Sequence, residues 1–147
     1  MNYRIPLAAA CFVAALGAAS PGASAQTMTL KAADVHPPGY PNVVAIEHLG
    51  AKLEAATHGR IRLKMFPGGV LGGEKEMIEQ TQVGAIDILR TSLGPVGPVV
   101  PEVNVFNMPF VFRDEAHMRA VIDGPIGDDM LAKITASPVK LVALGWM

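Results

Sequence analysis

The chain has 147 residues, enough for one small domain, with 12 lysines and arginines against 13 aspartates and glutamates, and half of its residues are hydrophobic. The near balance of charge, with no cluster of basic residues, excludes nucleic-acid binding through phosphate neutralisation, and the apolar content excludes intrinsic disorder. The single cysteine cannot form an intrachain disulfide, and no group of Cys and His residues has the spacing of a structural zinc site.

The first 25 residues have the pattern of a secretory signal peptide. Arg4 precedes an apolar run over residues 5–19, and a Ser/Pro/Gly stretch then ends on small residues at 23–25. The run is shorter than the about 20 apolar residues that a membrane-spanning helix needs. We therefore expect cleavage after Ala25, which removes Cys11 and leaves an exported protein that does not itself span a membrane.

Hydrophobic periodicity after residue 26 predicts alternating strands and helices. Residues 61–66 alternate at the sheet period, whereas segments such as 42–57 have apolar residues at helical spacing opposite charged ones. Asp114 and the pair Gly124-Pro125 are typical of helix starts. In chain order we predict a strand at 28–35, a helix at 42–57, a strand at 61–66, a helix at 74–83, a strand at 86–91, a long loop at 92–101, a short strand in the first part of 103–112, helices at 114–122 and 126–136, and a strand at 140–146.

This order of elements predicts an α/β fold with a largely parallel sheet flanked by helices. The last predicted strand ends with the sequence, and no helix follows it. A parallel sheet needs helical cover on both faces. We therefore expect the sequence to be a fragment of a longer protein, with its last layer incomplete.

The most glycine-rich segment, residues 67–75, opens the predicted helix at 74–83. Gly68 and Gly73 have the separation of the two glycines in a nucleotide phosphate loop, but Glu74 occupies the place of the phosphate-binding lysine. A carboxylate there would repel phosphate, which disfavours a nucleotide site. Glu74 could instead accept a hydrogen bond from a ligand hydroxyl or amine, or it could only stabilise the helix start.

Polar and aromatic residues follow several predicted strands. His36 follows the first strand, Thr91 and Ser92 follow the third, and Trp146 ends the last, at the sheet edge where ligands bind in open parallel sheets. Each also has a structural alternative, since His36 could pack on the prolines, Thr91 and Ser92 could form a turn, and Trp146 could lie in the core.

Catalysis has little support in the sequence. No nucleophile has an adjacent base, and no known catalytic motif is present. We therefore expect a protein without enzymatic activity, metal or cofactor. A secreted enzyme that uses Glu74 and His36 in one cleft stays open as an alternative, and so does a non-functional product of a disrupted gene.

Four segments together resemble a known family. They read GRIRL at 59–63, FPGGVLGGEKEMIEQ at 66–80, VGAIDI at 83–88 and FNMPFVFRD at 106–114. In this order they resemble the extracytoplasmic solute receptors of tripartite ATP-independent periplasmic (TRAP) transporters, of the dicarboxylate-receptor type. The similarity covers nearly all of residues 26–147.

The resemblance implies a periplasmic binding protein of type II-like fold, whose two lobes close on a small organic acid, commonly a four-carbon dicarboxylate. Such a receptor delivers its ligand to the membrane permease subunits of the transporter. Residues 26–147 would then form most of the first lobe, without the second. By position, the residues that resemble ligand contacts of the family are Val35, His36, Glu74, Thr91, Ser92, Pro95 and Trp146.

The resemblance also implies a main carboxylate clamp made by an arginine, whose planar guanidinium forms two parallel hydrogen bonds. In the family pattern this arginine lies beyond Trp146. Arg90 and Arg113 are not at clamp positions, and Arg90 could face solvent or pair with an acid. Because one wall of a cleft buries too little of a ligand, we expect these residues alone to bind organic acids weakly or not at all.

Overall fold

The computed structural model describes residues 26–147, so the predicted signal peptide at 1–25 lies outside the described residues. The first half of the described chain alternates strands and helices: β1 Met28–Ala33, α1 Pro41–Ala56, β2 Ile61–Phe66, α2 Glu74–Gln82 and β3 Ile88–Leu89. The three strands form a parallel sheet in the order β2-β1-β3. The predicted α/β fold with a parallel sheet is therefore confirmed.

The second half is helical. It contains α3 Leu93–Val96, a 3-10 helix Pro101–Asn107, α4 Glu115–Ile122 and α5 Pro125–Ala136. Asp114 caps the start of α4 as expected, because its side chain accepts a hydrogen bond from the backbone N–H of His117 at 2.7 Å. Within residues 26–147, no helix is long and apolar enough to cross a membrane.

The central strand β1 contacts β2, β3 and α2 and so positions all three. It pairs with β2 along its whole length, from Met28 opposite Ile61 onward, and with β3 at only two residues. Ala32 and Ala33 at its end are fully buried. Ala33 belongs to a core cluster with Met77 of α2 and with Ile86, which fixes the start of α2 close to the end of β1.

Helix α1 packs very closely on β2. A Cβ atom added at Gly50 would lie 2.8 Å from the Cβ of Leu63, a separation that real Cβ atoms essentially never show. Val43 and Ile46 are buried on the same helix. The start of α1 is thereby held beside the ends of the strands.

Three predictions for the second half are wrong. The predicted strand in the first part of 103–112 is a 3-10 helix, which Pro101 begins. The predicted loop at 92–101 contains the short helix α3. The predicted strand at 140–146 has no regular secondary structure: it begins at Lys140, whose φ of 57° is incompatible with an extended strand, and it has no strand beside it in residues 26–147.

Candidate ligand-binding site

Six polar side chains meet at the carboxyl end of the sheet, and we call them the polar cluster. They come from the segments that follow β1 and β3 and from the starts of α1 and α2, because parallel strands end at one edge of the sheet. The polar cluster consists of Asp34, His36, Asn42, Glu74, Arg90 and Ser92.

Glu74, the first residue of α2, is tied to the segment after β3. Its Oε1 accepts two hydrogen bonds from Ser92, one from the backbone N–H at 2.7 Å and one from the hydroxyl at 2.8 Å. The side chain is 18% exposed. Its position in the first turn of α2 also favours a negative charge. Glu74 therefore does more than stabilise its own helix, and Oε2 has no hydrogen bond from any residue in 26–147.

Arg90 occupies the middle of the polar cluster. Its Nη1 lies 3.7 Å from Oε1 of Glu74 and 3.4 Å from Nδ1 of His36. With its amide oxygen toward the guanidinium, Asn42 accepts from Nε at 3.1 Å and from Nη2 at 3.2 Å. The Arg90 side chain is 20% exposed. Of the two alternatives for Arg90, the structure therefore shows pairing with an acid rather than a solvent-facing side chain.

His36 is held by Asp34 and Tyr40 rather than by the prolines alone. Its Nδ1 lies 2.6 Å from Oδ1 of Asp34, and its backbone N–H donates to the same oxygen at 2.9 Å. The ring stacks on Tyr40 with centroids 4.1 Å apart. Asp34 is fully buried.

Three other predicted site residues, Val35, Thr91 and Pro95, lie outside the polar cluster, each in a different environment. Val35 is partly buried and packs against the core cluster of Ala33, Met77 and Ile86. The hydroxyl of Thr91 has only a long contact of 3.4 Å, with the Ser92 carbonyl. Pro95 lies within α3.

Trp146 packs edge-on against the ring of Phe106, with centroids 5.5 Å apart. Its indole N–H is buried and has no hydrogen-bond partner in the described part of the chain. Thr91, Ser92 and Trp146 all line an open, largely apolar cavity of about 840 Å³, whose lining includes Arg90 but neither His36 nor Glu74. Ser92 therefore links the cavity to the polar cluster.

Sequence reasoning missed Asp34, Asn42 and Tyr40. A signal for Asp34 was present, since a carboxylate directly after a buried strand and two residues before a histidine can form both bonds seen here. Asn42 and Tyr40 gave no comparable signal, because their partners are distant in sequence or contacted through a ring face. Among residues 26–147, no group of three or more His, Cys, Asp or Glu side chains could hold a metal ion.

Known proteins similar to this chain in sequence and structure include TRAP periplasmic solute-binding proteins. Solved TRAP periplasmic solute-binding proteins similar to this chain include one from Pseudomonas putida F1 with bound D-glucuronate, 62% identical, with a TM-score of 0.79, over 82% of this chain and 39% of that chain. Another, from Citrobacter koseri and also with bound D-glucuronate, is 55% identical, with a TM-score of 0.80, over 82% of this chain and 40% of that chain.

A curated relative, the solute-binding protein of Chromohalobacter salexigens, is 34% identical over 99% of this chain and 44% of its own length. The chain thus spans less than half the length of the relatives that it matches. The model of bacterial extracellular solute-binding protein family 7 matches residues 32–147. The resemblance to TRAP receptors is confirmed, and the chain belongs to bacterial extracellular solute-binding protein family 7, whose members are substrate-binding receptors rather than enzymes.

Proposed function

We propose that the protein is the periplasmic receptor of a TRAP transporter and that it binds a sugar acid of the uronate class. It would deliver this ligand to the membrane permease subunits of the transporter. Residues 1–25 would be the export signal, and residues 26–147 most of the first lobe. The observation that carries the choice of ligand is the Glu74 carboxylate, whose Oε1 is held by Ser92 and whose Oε2 has no hydrogen bond from residues 26–147.

The free oxygen of Glu74 favours a ligand hydroxyl. Ser92 saturates Oε1, so a ligand meets Oε2, which can only accept hydrogen bonds while the group is ionised. A hydroxyl donates to such an oxygen, whereas a ligand carboxylate has no hydrogen to donate. Sugar acids have several hydroxyl groups in addition to one carboxylate.

The charge of the polar cluster also favours a ligand that presents hydroxyl groups, rather than a carboxylate, to Glu74. It contains two acidic side chains, Asp34 and Glu74, and one arginine, whose guanidinium is already paired with Glu74 and Asn42. A second ligand carboxylate beside Glu74 would be repelled by it. The resemblance implies a four-carbon dicarboxylate. If one carboxylate of that ligand were bound outside the polar cluster, its other carboxylate would lie beside Glu74 and be repelled.

The two solved relatives also support a sugar acid, because both contain bound D-glucuronate and are 62% and 55% identical to this chain. The carboxylate of the ligand would then be met by a part of the receptor outside residues 26–147. This division agrees with the arginine clamp that the family resemblance implies beyond Trp146. It is also why we expect only weak binding by this chain alone.

A hybrid receptor tests the proposal. Residues 26–147 would replace the matching segment of the Pseudomonas putida protein, and calorimetry would compare D-glucuronate with succinate, a four-carbon dicarboxylate. We expect D-glucuronate to bind at least about tenfold more tightly, which corresponds to one charge-assisted hydrogen bond. Tighter binding of succinate, or loss of D-glucuronate binding in a hybrid that unfolds as cooperatively as the parent, would contradict the proposal.

A matched pair of variants then tests the role of Glu74. In the hybrid, Glu74→Gln should weaken D-glucuronate binding by about tenfold or more, since an amide is a poorer acceptor than a carboxylate. Glu79→Gln makes the same change on an exposed position of the same helix and should leave the affinity unchanged. Equal effects of the two variants would mean that Glu74 does not contact the ligand.

A further inference from the structure

One carboxylate of the polar cluster, that of Asp34, is buried and lies against His36 rather than Arg90. Asp34 is fully buried, directly after the central strand β1, and its Oδ2 has no hydrogen-bond partner among residues 26–147. Burial of a carboxylate is costly unless its charge is compensated by close polar partners. The partners of Asp34 are therefore informative about what it does.

Both side-chain contacts of Asp34 go to one residue through one oxygen. Oδ1 accepts the backbone N–H of His36 at 2.9 Å and lies 2.6 Å from Nδ1 of the same residue. The backbone bond alone would make an ordinary turn after a strand. The ring contact, at 2.6 Å, is shorter than the backbone bond and is not needed for such a turn. It directs Nδ1 of His36 toward the buried Asp34.

The position of the ring hydrogen follows from the competing contacts at Nδ1. Arg90 Nη1 lies 3.4 Å away and could donate to Nδ1 only if that atom had no hydrogen. A carboxylate oxygen 0.8 Å closer is the stronger partner, and the guanidinium already donates to Asn42. These distances favour a hydrogen on Nδ1 that is directed at Asp34.

We propose that Asp34 is a positioning residue that fixes the Nδ1–H tautomer of His36 and so presents Nε2 to the ligand as a hydrogen-bond acceptor. The neutral imidazole has one donor and one acceptor nitrogen, and the partner of the first decides the role of the second. Tyr40 stacks on the ring and holds its plane. The His36 side chain is 27% exposed, which leaves part of the ring accessible.

This assignment sharpens the specificity of the site. His36 Nδ1 and Glu74 Oε1 lie 3.4 and 3.7 Å from the same Arg90 nitrogen, so the two side chains are neighbours in the polar cluster. In this proposal Nε2 of His36 and Oε2 of Glu74 both accept hydrogen bonds from the ligand. Two neighbouring acceptors select a ligand with two neighbouring hydroxyls. The identity of that ligand rests on the proposed function, whereas the tautomer of His36 does not.

Nuclear magnetic resonance of the ¹⁵N-labelled protein measures the tautomer directly, without ligand. Long-range ¹H–¹⁵N correlations of the neutral His36 ring should show a protonated Nδ1 and an unprotonated Nε2. A predominant Nε2–H form in the wild-type protein would overturn the proposal, whatever ligand the receptor binds. This measurement needs no variant, so a failure of a variant to fold cannot obscure it.

Two variants separate positioning from a purely structural role. Asp34→Asn replaces a group that can only accept with an amide that can also donate, and we expect the single Nδ1–H form to be lost in favour of a mixture. Asp87→Asn changes a carboxylate whose hydrogen bond within residues 26–147 is with the backbone N–H of Lys31, at 2.8 Å, and it should leave the His36 signals unchanged. An unchanged tautomer in a folded Asp34→Asn variant would contradict the positioning role.

Discussion

Two regions of the described chain differ in how they are stabilised. In residues 28–92, every strand pairs with a parallel neighbour, and Ala33, Val43 and Met77 are fully buried. Residues 93–147 have no strand, and their buried side chains, such as Val103 and Met130, form a cluster between helices. Helix α4 has no buried residue, and Phe110 is fully exposed. The polar cluster lies in the first region, where the backbone on which it depends is held from two sides.

The difference between the two regions indicates that the parallel sheet and the helices packed on it hold the polar cluster in place. A small site needs its side chains fixed by their neighbours, and the sheet with its closely packed helices provides that for the polar cluster. The second region presents apolar side chains such as Val142 and Leu144 to solvent, at 72% and 76% exposure. Substitutions at buried positions around the sheet should therefore cost more than chemically equal ones at the exposed positions of the second region.

The largest effect is expected for the methionine in the core between β1 and α2. Met77→Ala should lower the free energy of unfolding by about 2–5 kcal/mol, because it leaves a cavity beside Ala33 and Ile86. Met108→Ala makes the same change at a residue that is 58% exposed and should cost at most about 0.5 kcal/mol. Urea denaturation measures both, and equal costs would remove the contrast between the two regions.

A smaller effect is expected where α1 approaches β2. Gly50→Ala should destabilise the protein by about 1–3 kcal/mol despite the better helix propensity of alanine, because its Cβ would overlap Leu63. Gly94→Ala lies in α3 with nothing within 4 Å of the added Cβ and should be neutral or stabilising by up to about 1 kcal/mol. Thermal unfolding decides between them, and a neutral Gly50→Ala would show that α1 moves away from the sheet easily.

The smallest effect concerns a helix start in the second region. Asp114→Ala should cost about 1 kcal/mol, because the backbone N–H of His117 loses its acceptor. Asp123→Ala, at the other end of the same helix, should cost less, since no side-chain hydrogen bond of Asp123 is found in residues 26–147. Circular dichroism during urea titration measures both. A cost as large as that of Met77→Ala would mean that the second region is as tightly packed as the first.

Much of the first region could be predicted from the sequence because its patterns and its partners lie in the same stretch of chain. The alternation over Ile61–Phe66 indicates a strand, and β1 is present to pair with it. In the second region, residues 141–144 alternate between partly buried and exposed side chains as a strand does, but no neighbouring strand is described. Hydrophobic alternation reports burial, whereas a strand also requires a hydrogen-bonding partner.

Some residues of the candidate site could be predicted from the sequence, and others could not. Sequence reasoning found His36, Glu74 and Ser92 because the ends of strands and the starts of helices are places that a pattern can mark. It left the pairing of Arg90 with Glu74 open, and it missed Asn42, whose contact with Arg90 joins residues 48 positions apart. It placed Trp146 on a strand, whereas the residue lies outside regular secondary structure and packs on Phe106.

Hydrogen exchange on the ligand-free protein tests most directly whether the sheet holds a preformed polar cluster. We expect slow exchange at the paired amides of β1 and β2, and also at the backbone N–H groups of His36 and Ser92, which donate to Asp34 and Glu74. Uniformly fast exchange, or a protected sheet with His36 and Ser92 exchanging at the rate of an open loop, would contradict the account.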